Sequence, residues 1–155
     1  MTIYLASDHA GFELKNRLKT LLKELGYAVR DEGAFAFVSD DDYPDFVKIA
    51  AKQVSSDPLS RGIVIGGSGQ GEAIVANREK SVRAVVYYGG PLEVITLSRI
   101  HNDANVLSLG ARFLTAEEAI EAVKLWLGTD FPAEERHIRR IRKIDESEEG
   151  KIASF

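Results

Sequence analysis

The stretch Gly66-Gly67-Ser68-Gly69-Gln70-Gly71-Glu72 puts four glycines in six positions and ends on a carboxylate. Glycines leave backbone N–H groups accessible, with no Cβ in the way. A helix opening behind them adds its own unpaired N–H groups and the positive end of its dipole. Such a loop suits an anion, either a phosphate or a negative charge that develops during a reaction. Glu72 has two readings. It fits a first-turn acid favoured by the helix dipole, which is the commoner arrangement. It also fits a general base beside an oxyanion cradle. Ser68 is equally a loop hydroxyl or cap, or a donor to a reacting oxygen. The loop matches neither G-x-G-x-x-G nor a P-loop, because no Gly-Lys-Ser/Thr follows.

Other polar residues gather around strand ends. Asp8 and His9 follow the first apolar run, and Gly110 and Arg112 follow the last. His101-Asn102-Asp103 lies instead where a helix ends, on the opposite edge of a simple sheet. His101 by itself suits the negative end of that helix dipole. Arg136, His137, Arg139, Arg140, Arg142 and Lys143 make the last helix basic. Arg136 and Arg140 are four apart and share a face. A charge run of this kind is commonly a solvated face, but two arginines on one face also suit a phosphate. The histidines are too scattered in sequence for a metal motif.

These residues need a frame. Ile3-Tyr4-Leu5-Ala6 reads as a first strand, with Asp8 placed as an N-cap. Leu14, Leu18, Leu21, Leu22 and Leu25 recur at helical spacing and stop at Gly26. Tyr27-Ala28-Val29 is a short second strand. A polar loop with Asp40-Asp41-Asp42 then leads to Tyr43-Pro44, where proline suits a first helical turn. Ile63-Val64-Ile65 is a buried strand before the glycine loop, and a helix is expected to continue over 73–80. Val82–Tyr87 and Asn105–Leu109 are the fourth and fifth strands. Between them, Leu92, Ile95 and Ile100 are apolar at helical spacing. Thr115-Ala116-Glu117-Glu118 is a capping box that opens another helix. A last helix spans about Glu134 to Glu146, with Ile138, Ile141 and Ile144 expected to face the body. Strands alternating with helices predict a three-layer α/β/α, Rossmann-like domain with a five-stranded parallel sheet. The domain is expected over 1–146, followed by a charged C-terminal tail over 147–155.

The 155-residue chain can bury a core without staples. It has no cysteine, which excludes thiol catalysis and zinc-thiolate sites. A net charge of −4 argues against nucleic acid as a partner, and no interleaved aromatics accompany the basic run. No apolar run approaches the roughly 20 residues that span a bilayer, so no membrane partner is expected. The start of the chain shows no signal-peptide pattern, and a cytoplasmic location is the expectation.

Together these stretches resemble the ribose-5-phosphate isomerase B family, which includes galactose-6-phosphate and allose-6-phosphate isomerases. The likeness rests on Ser7-Asp8-His9-Ala10-Gly11, Asp42-Tyr43-Pro44, Gly66–Glu72 with Ala76-Asn77, and Arg83-Ala84. It continues through Arg99-Ile100-His101-Asn102-Asp103-Ala104-Asn105, Gly110-Ala111-Arg112 and Arg136-His137-Ile138-Arg139-Arg140, spanning roughly residues 1–145. Many members carry a catalytic cysteine where this chain has Gly66. A second branch uses a glutamate at the loop's end, where Glu72 stands, so the resemblance favours the general-base reading.

The resemblance implies an aldose–ketose isomerase acting on ribose 5-phosphate and ribulose 5-phosphate, without metal or organic cofactor. Glu72 would be the base and Ser68 with Gly67, Gly69 and Gly71 the oxyanion cradle. His101 and Asp8 are the candidates for ring opening. His9, Arg112, Arg136 and Arg140 would hold the phosphate, and Tyr43 and Asn102 would touch the sugar. It also implies a sheet order of 2-1-3-5-4 and a homodimer, or a tetramer built from it, with residues such as His101 supplied across subunits. Other readings stay open at this point: a four- or six-carbon sugar phosphate as substrate, or a non-catalytic phosphate- or nucleotide-binding domain.

Overall fold

The computed structural model describes residues 1–149; residues 150–155 of the expected tail lie outside them. The strands are β1 (Thr2–Ser7), β2 (Ala28–Asp31), β3 (Arg61–Gly66), β4 (Ala84–Tyr87) and β5 (Val106–Gly110). The helices are α1 (Phe12–Glu24), α2 (Tyr43–Ser56), α3 (Gln70–Ala76), α4 (Glu93–Asn102), α5 (Ala116–Gly128) and α6 (Glu135–Glu149). A single 3-10 turn, His9–Gly11, precedes α1. All pairings are parallel and the order is β2-β1-β3-β5-β4, as the resemblance implied. The chain leaves β1 toward β2 and then crosses back to β3. Strand order therefore reverses between β1 and β3, and that crevice at the carboxyl ends is where open α/β sheets bind ligands.

Alternation along the strands builds two cores. Ile63, Ile65, Leu107 and Leu109 pack with Leu18, Leu22, Ile95 and Trp126 on one face. Val64 and Val106 pack with Val47, Ala50, Ala51 and Val54 on the other. The sheet is thus buried on both sides, which explains why its central strands read as continuous apolar runs.

Several boundaries differ from expectation for local reasons. Gly69 sits at φ +77°, a left-handed conformation that only glycine adopts without strain, and it turns the chain into α3 at Gln70 rather than Ala73. Glu72 therefore lies inside the first helical turn. α3 ends at Ala76 because the Asn77 side chain takes both backbone groups of Ala84, at 2.7 and 3.0 Å. This clamp also delays β4 to Ala84. α6 runs on to Glu149, three residues into the expected tail, and Ile144 is half exposed. Among the described residues no helix is long and apolar enough to cross a membrane.

Beyond β2, the loop toward α2 is tied to the body through Lys15, whose side chain is fully buried. Its ammonium donates to Asp31 Oδ1 at 2.6 Å and to the Ala34 carbonyl at 2.5 Å. Lys19 takes the other Asp31 oxygen at 2.7 Å. Burial lowers the Lys15 pKa, opposed by its bond to Asp31. Without Lys15 the buried Ala34 carbonyl loses this donor, and Asp31 keeps only Lys19 as a cationic partner. Lys15→Ala should therefore cost on the order of 3 kcal/mol in urea unfolding; a loss near zero would show that the pair does not hold the loop.

Candidate active site

Parallel strands deliver their C-terminal loops to one edge, so Asp8, His9, Gly66–Glu72 and Arg112 meet there. β3 and β5 stay in register to Gly66 and Gly110, and the pairing continues past the strands. Ala111 N–H donates to Gly66 O at 2.8 Å and Arg112 N–H donates to Gly67 O at 3.0 Å. The Arg112 guanidinium lies across the bare face of Gly67, 3.0 Å from where a Cβ would stand. From below, the buried Ser108 hydroxyl donates to Gly69 O at 2.6 Å. The Tyr43 hydroxyl, at the start of α2, lies against Gly71 in the same way. Ser68 Oγ accepts from Gln70 N–H at 3.3 Å, which leaves its own proton for another partner.

Glu72 is the centre of this arrangement. It is only 4% exposed, and its carboxylate fills the space beside Gly66 that any side chain there would need. A Cβ at position 66 would overlap Glu72 Oε1. Burial raises the Glu72 pKa; its own backbone N–H opposes that, and the charge of Asp8 adds to it. A carboxylate raised in this way is a stronger base than an ordinary glutamate.

Asp8 is committed to structure as well. Its Oδ1 accepts from Ala10 N–H at 2.9 Å and Gly11 N–H at 3.3 Å, capping the turn that carries His9. His9 is gripped by a residue that the sequence did not single out. Asp41 Oδ1 accepts from His9 N–H at 2.9 Å and from His9 Nδ1 at 2.8 Å. Asp8, His9 and Asp41 bring three potential ligand atoms within 4.8 Å of one another. His9 Nδ1, however, carries the proton it donates to Asp41, and a protonated nitrogen is not a metal ligand.

The remaining candidates stand elsewhere. His101 and Asn102 close α4, at the amino-terminal edge of β5, and Arg136 and Arg140 are exposed on α6. The His101 ring stacks on His137, with centroids 4.4 Å apart and planes at 22°. His137 is 3% exposed, and its pKa is lowered by burial and then by His101 and Arg136. Arg136 Nε donates to Glu134 at 3.0 Å. The end of α4 is fixed by Arg83 Nε, which donates to the Asn102 and Asp103 carbonyls at 2.9 and 3.1 Å. One chain therefore carries two partial constellations. The first holds a buried carboxylate and a glycine loop; the second holds two stacked histidines and two exposed arginines.

Residues 3–144 match the ribose/galactose isomerase family. A ribose-5-phosphate isomerase B of Mycolicibacterium paratuberculosis is 42% identical over 148 residues, covering 96% of this chain and 92% of that protein. The crystal structure of ribose-5-phosphate isomerase B from Mycoplasma genitalium, with bound ribulose 5-phosphate, superposes with a TM-score of 0.92 at 38% identity. It covers 97% of both chains. Ribose-5-phosphate isomerase B of Clostridium thermocellum gives 0.90 at 40% identity, over 96% of this chain and 98% of that one.

The raised pKa of Glu72 has a stability consequence with a definite sign. Between the ordinary value of 4.5 and the raised value, the folded state binds more protons than the unfolded one. Stability is then greatest below 4.5 and falls as pH rises through the raised pKa. Glu72→Gln removes that penalty. Thermal melts should show the variant more stable than wild type at neutral pH, with the difference vanishing near pH 4. An equal or lower melting temperature at neutral pH would contradict the buried-carboxylate picture.

Proposed function

This chain belongs to the ribose/galactose isomerase family, and from that premise we propose that it interconverts ribose 5-phosphate and ribulose 5-phosphate with Glu72 as the base. The observation that carries this reading is the Glu72 carboxylate: buried, raised in pKa, and lodged at the β1/β3 crevice beside a glycine loop. Glu72 takes the C2 proton of the open-chain aldose, leaving an enediolate; it returns that proton at C1 while the O2 hydroxyl proton passes to O1, and the ketose results. The enediolate charge appears only as the proton leaves. Donors aimed at it therefore stabilise the transition state more than the ground state. The loop from Gly67 to Gly71, including Gly69, supplies backbone donors, and the free Ser68 proton supplies another. Asp8 acts on the base through its charge and through the turn it caps.

His9 and Arg112 bind the phosphate from the same edge, and Tyr43 lines the sugar. The other partial constellation completes the site from a second copy of the chain. There His101 opens the sugar ring, Asn102 touches the sugar, and Arg136 and Arg140 close on the phosphate. This supports a homodimer, because the two sets stand at opposite edges of one sheet. A cysteine-free chain with no membrane-spanning helix among its described residues fits a cytoplasmic enzyme.

Glu72→Gln should lower kcat by on the order of a hundredfold while ribose 5-phosphate still binds. Exchange of the substrate C2 hydrogen with solvent should fall in parallel. Near-normal turnover and exchange would assign the proton to another group. Sharing of the site is tested by mixing. A 1:1 mixture of His101→Ala and Glu72→Gln chains, each inactive, should recover up to about a quarter of wild-type activity, because about half of the dimers are mixed and each mixed dimer keeps one of its two composite sites intact. Confirmed mixed dimers without activity would exclude the shared arrangement.

A further inference from the structure

Asp41 has no part in the function described above, yet it makes two short polar contacts to His9 at the phosphate end of the site. One of its oxygens accepts twice from His9, at 2.9 Å from the backbone and 2.8 Å from Nδ1. Its side chain is only 9% exposed, and its other oxygen, Oδ2, is buried without a hydrogen-bond partner. A half-satisfied buried carboxylate is costly to the fold. Phe37 meets the His9 ring edge-on, with centroids 6.3 Å apart at 85°. The ring is thus bounded on two sides, and Asp8 Oδ2 stands 4.0 Å from the same Nδ1.

We propose that Asp41 is a positioning residue that fixes His9 as a donor to the substrate phosphate. The inference rests on His9 being a phosphate ligand. The bond to Asp41 sets the proton on Nδ1 and leaves Nε2 as the nitrogen that meets the ligand. In the imidazolium form of the ring both nitrogens carry a proton, and the Asp41 carboxylate 2.8 Å from Nδ1 balances the charge. Nε2–H then donates a charge-assisted hydrogen bond to a phosphate oxygen. This is the way a buried aspartate orients and stabilises a histidine in a catalytic triad, applied here to binding rather than to proton transfer.

The test turns on the sign of an electrostatic effect. Removing a negative charge beside an anion site should, by field alone, tighten phosphate binding. The positioning role requires the reverse. Asp41→Asn keeps the size and one accepting oxygen, and should raise the KM for ribose 5-phosphate about tenfold with kcat within twofold of wild type. The neighbouring Asp40→Asn, at an exposed position, reports the field effect and should leave KM unchanged or lower it. In a His9→Ala background, Asp41→Asn should add nothing. Calorimetric binding of ribose 5-phosphate to Glu72→Gln, with and without Asp41→Asn, gives the same comparison without turnover, so an error in the base assignment leaves the result readable. A KM that is unchanged or lowered by Asp41→Asn, or effects that simply add to those of His9→Ala, would overturn the proposal.

Discussion

A carboxylate buried at the end of a parallel strand, with only a glycine beside it, is the constraint on which the site depends. Glu72 is held there by the turn at Gly69, and its proton affinity is set by burial, its own amide and the charge of Asp8. Each of these has a structural source. The burial comes from β3 and β5 running in register to Gly66 and Gly110. The Asp8 charge is fixed because that residue caps the turn after β1. Sheet register, a left-handed glycine and a helix cap together decide the chemistry of one side chain.

The second partial constellation is held just as firmly, by different means. Arg99 is almost fully buried under α4 and donates to Asp103 Oδ1 at 2.7 Å and to the Ala104 carbonyl at 2.6 Å. With Arg83 on the same corner, the last turn of α4 is bound by guanidinium groups on its carbonyl end, where the helix dipole favours them. His101 therefore leaves a rigid platform and lies flat on His137. These arginines are inward and structural. Arg136 and Arg140 are outward, which is the disposition of groups available to a ligand.

Most of the fold is legible in the sequence because its signals are local. The capping box at Thr115 and Glu118 forms as expected, with bonds of 2.7 and 3.1 Å. The apolar runs Ile63-Val64-Ile65 and Val106–Leu109 are strands because both sheet faces are covered. The site is legible only where its residues are neighbours in sequence. Asp41 and His9 are 32 positions apart, and in sequence Asp41 is one of three aspartates in a polar loop. Nothing local marks which of the three turns inward; that is settled by where the loop after β2 is tied down. The stacking of His101 on His137 is hidden for the same reason, since two separate helices must pack before the rings meet. The start of α3 differs from expectation because the backbone freedom of Gly69 marks a turn without saying on which residue the helix begins.

The bare face of Gly66 also bears on how such a site changes over generations. Any side chain gained at position 66 would overlap the carboxylate of Glu72, so a change at position 66 alone displaces that carboxylate. A reactive group on the strand and a reactive group on the helix are alternative tenants of the same few cubic ångströms. A lineage that exchanges one for the other must change both residues together or cross an intermediate of low fitness.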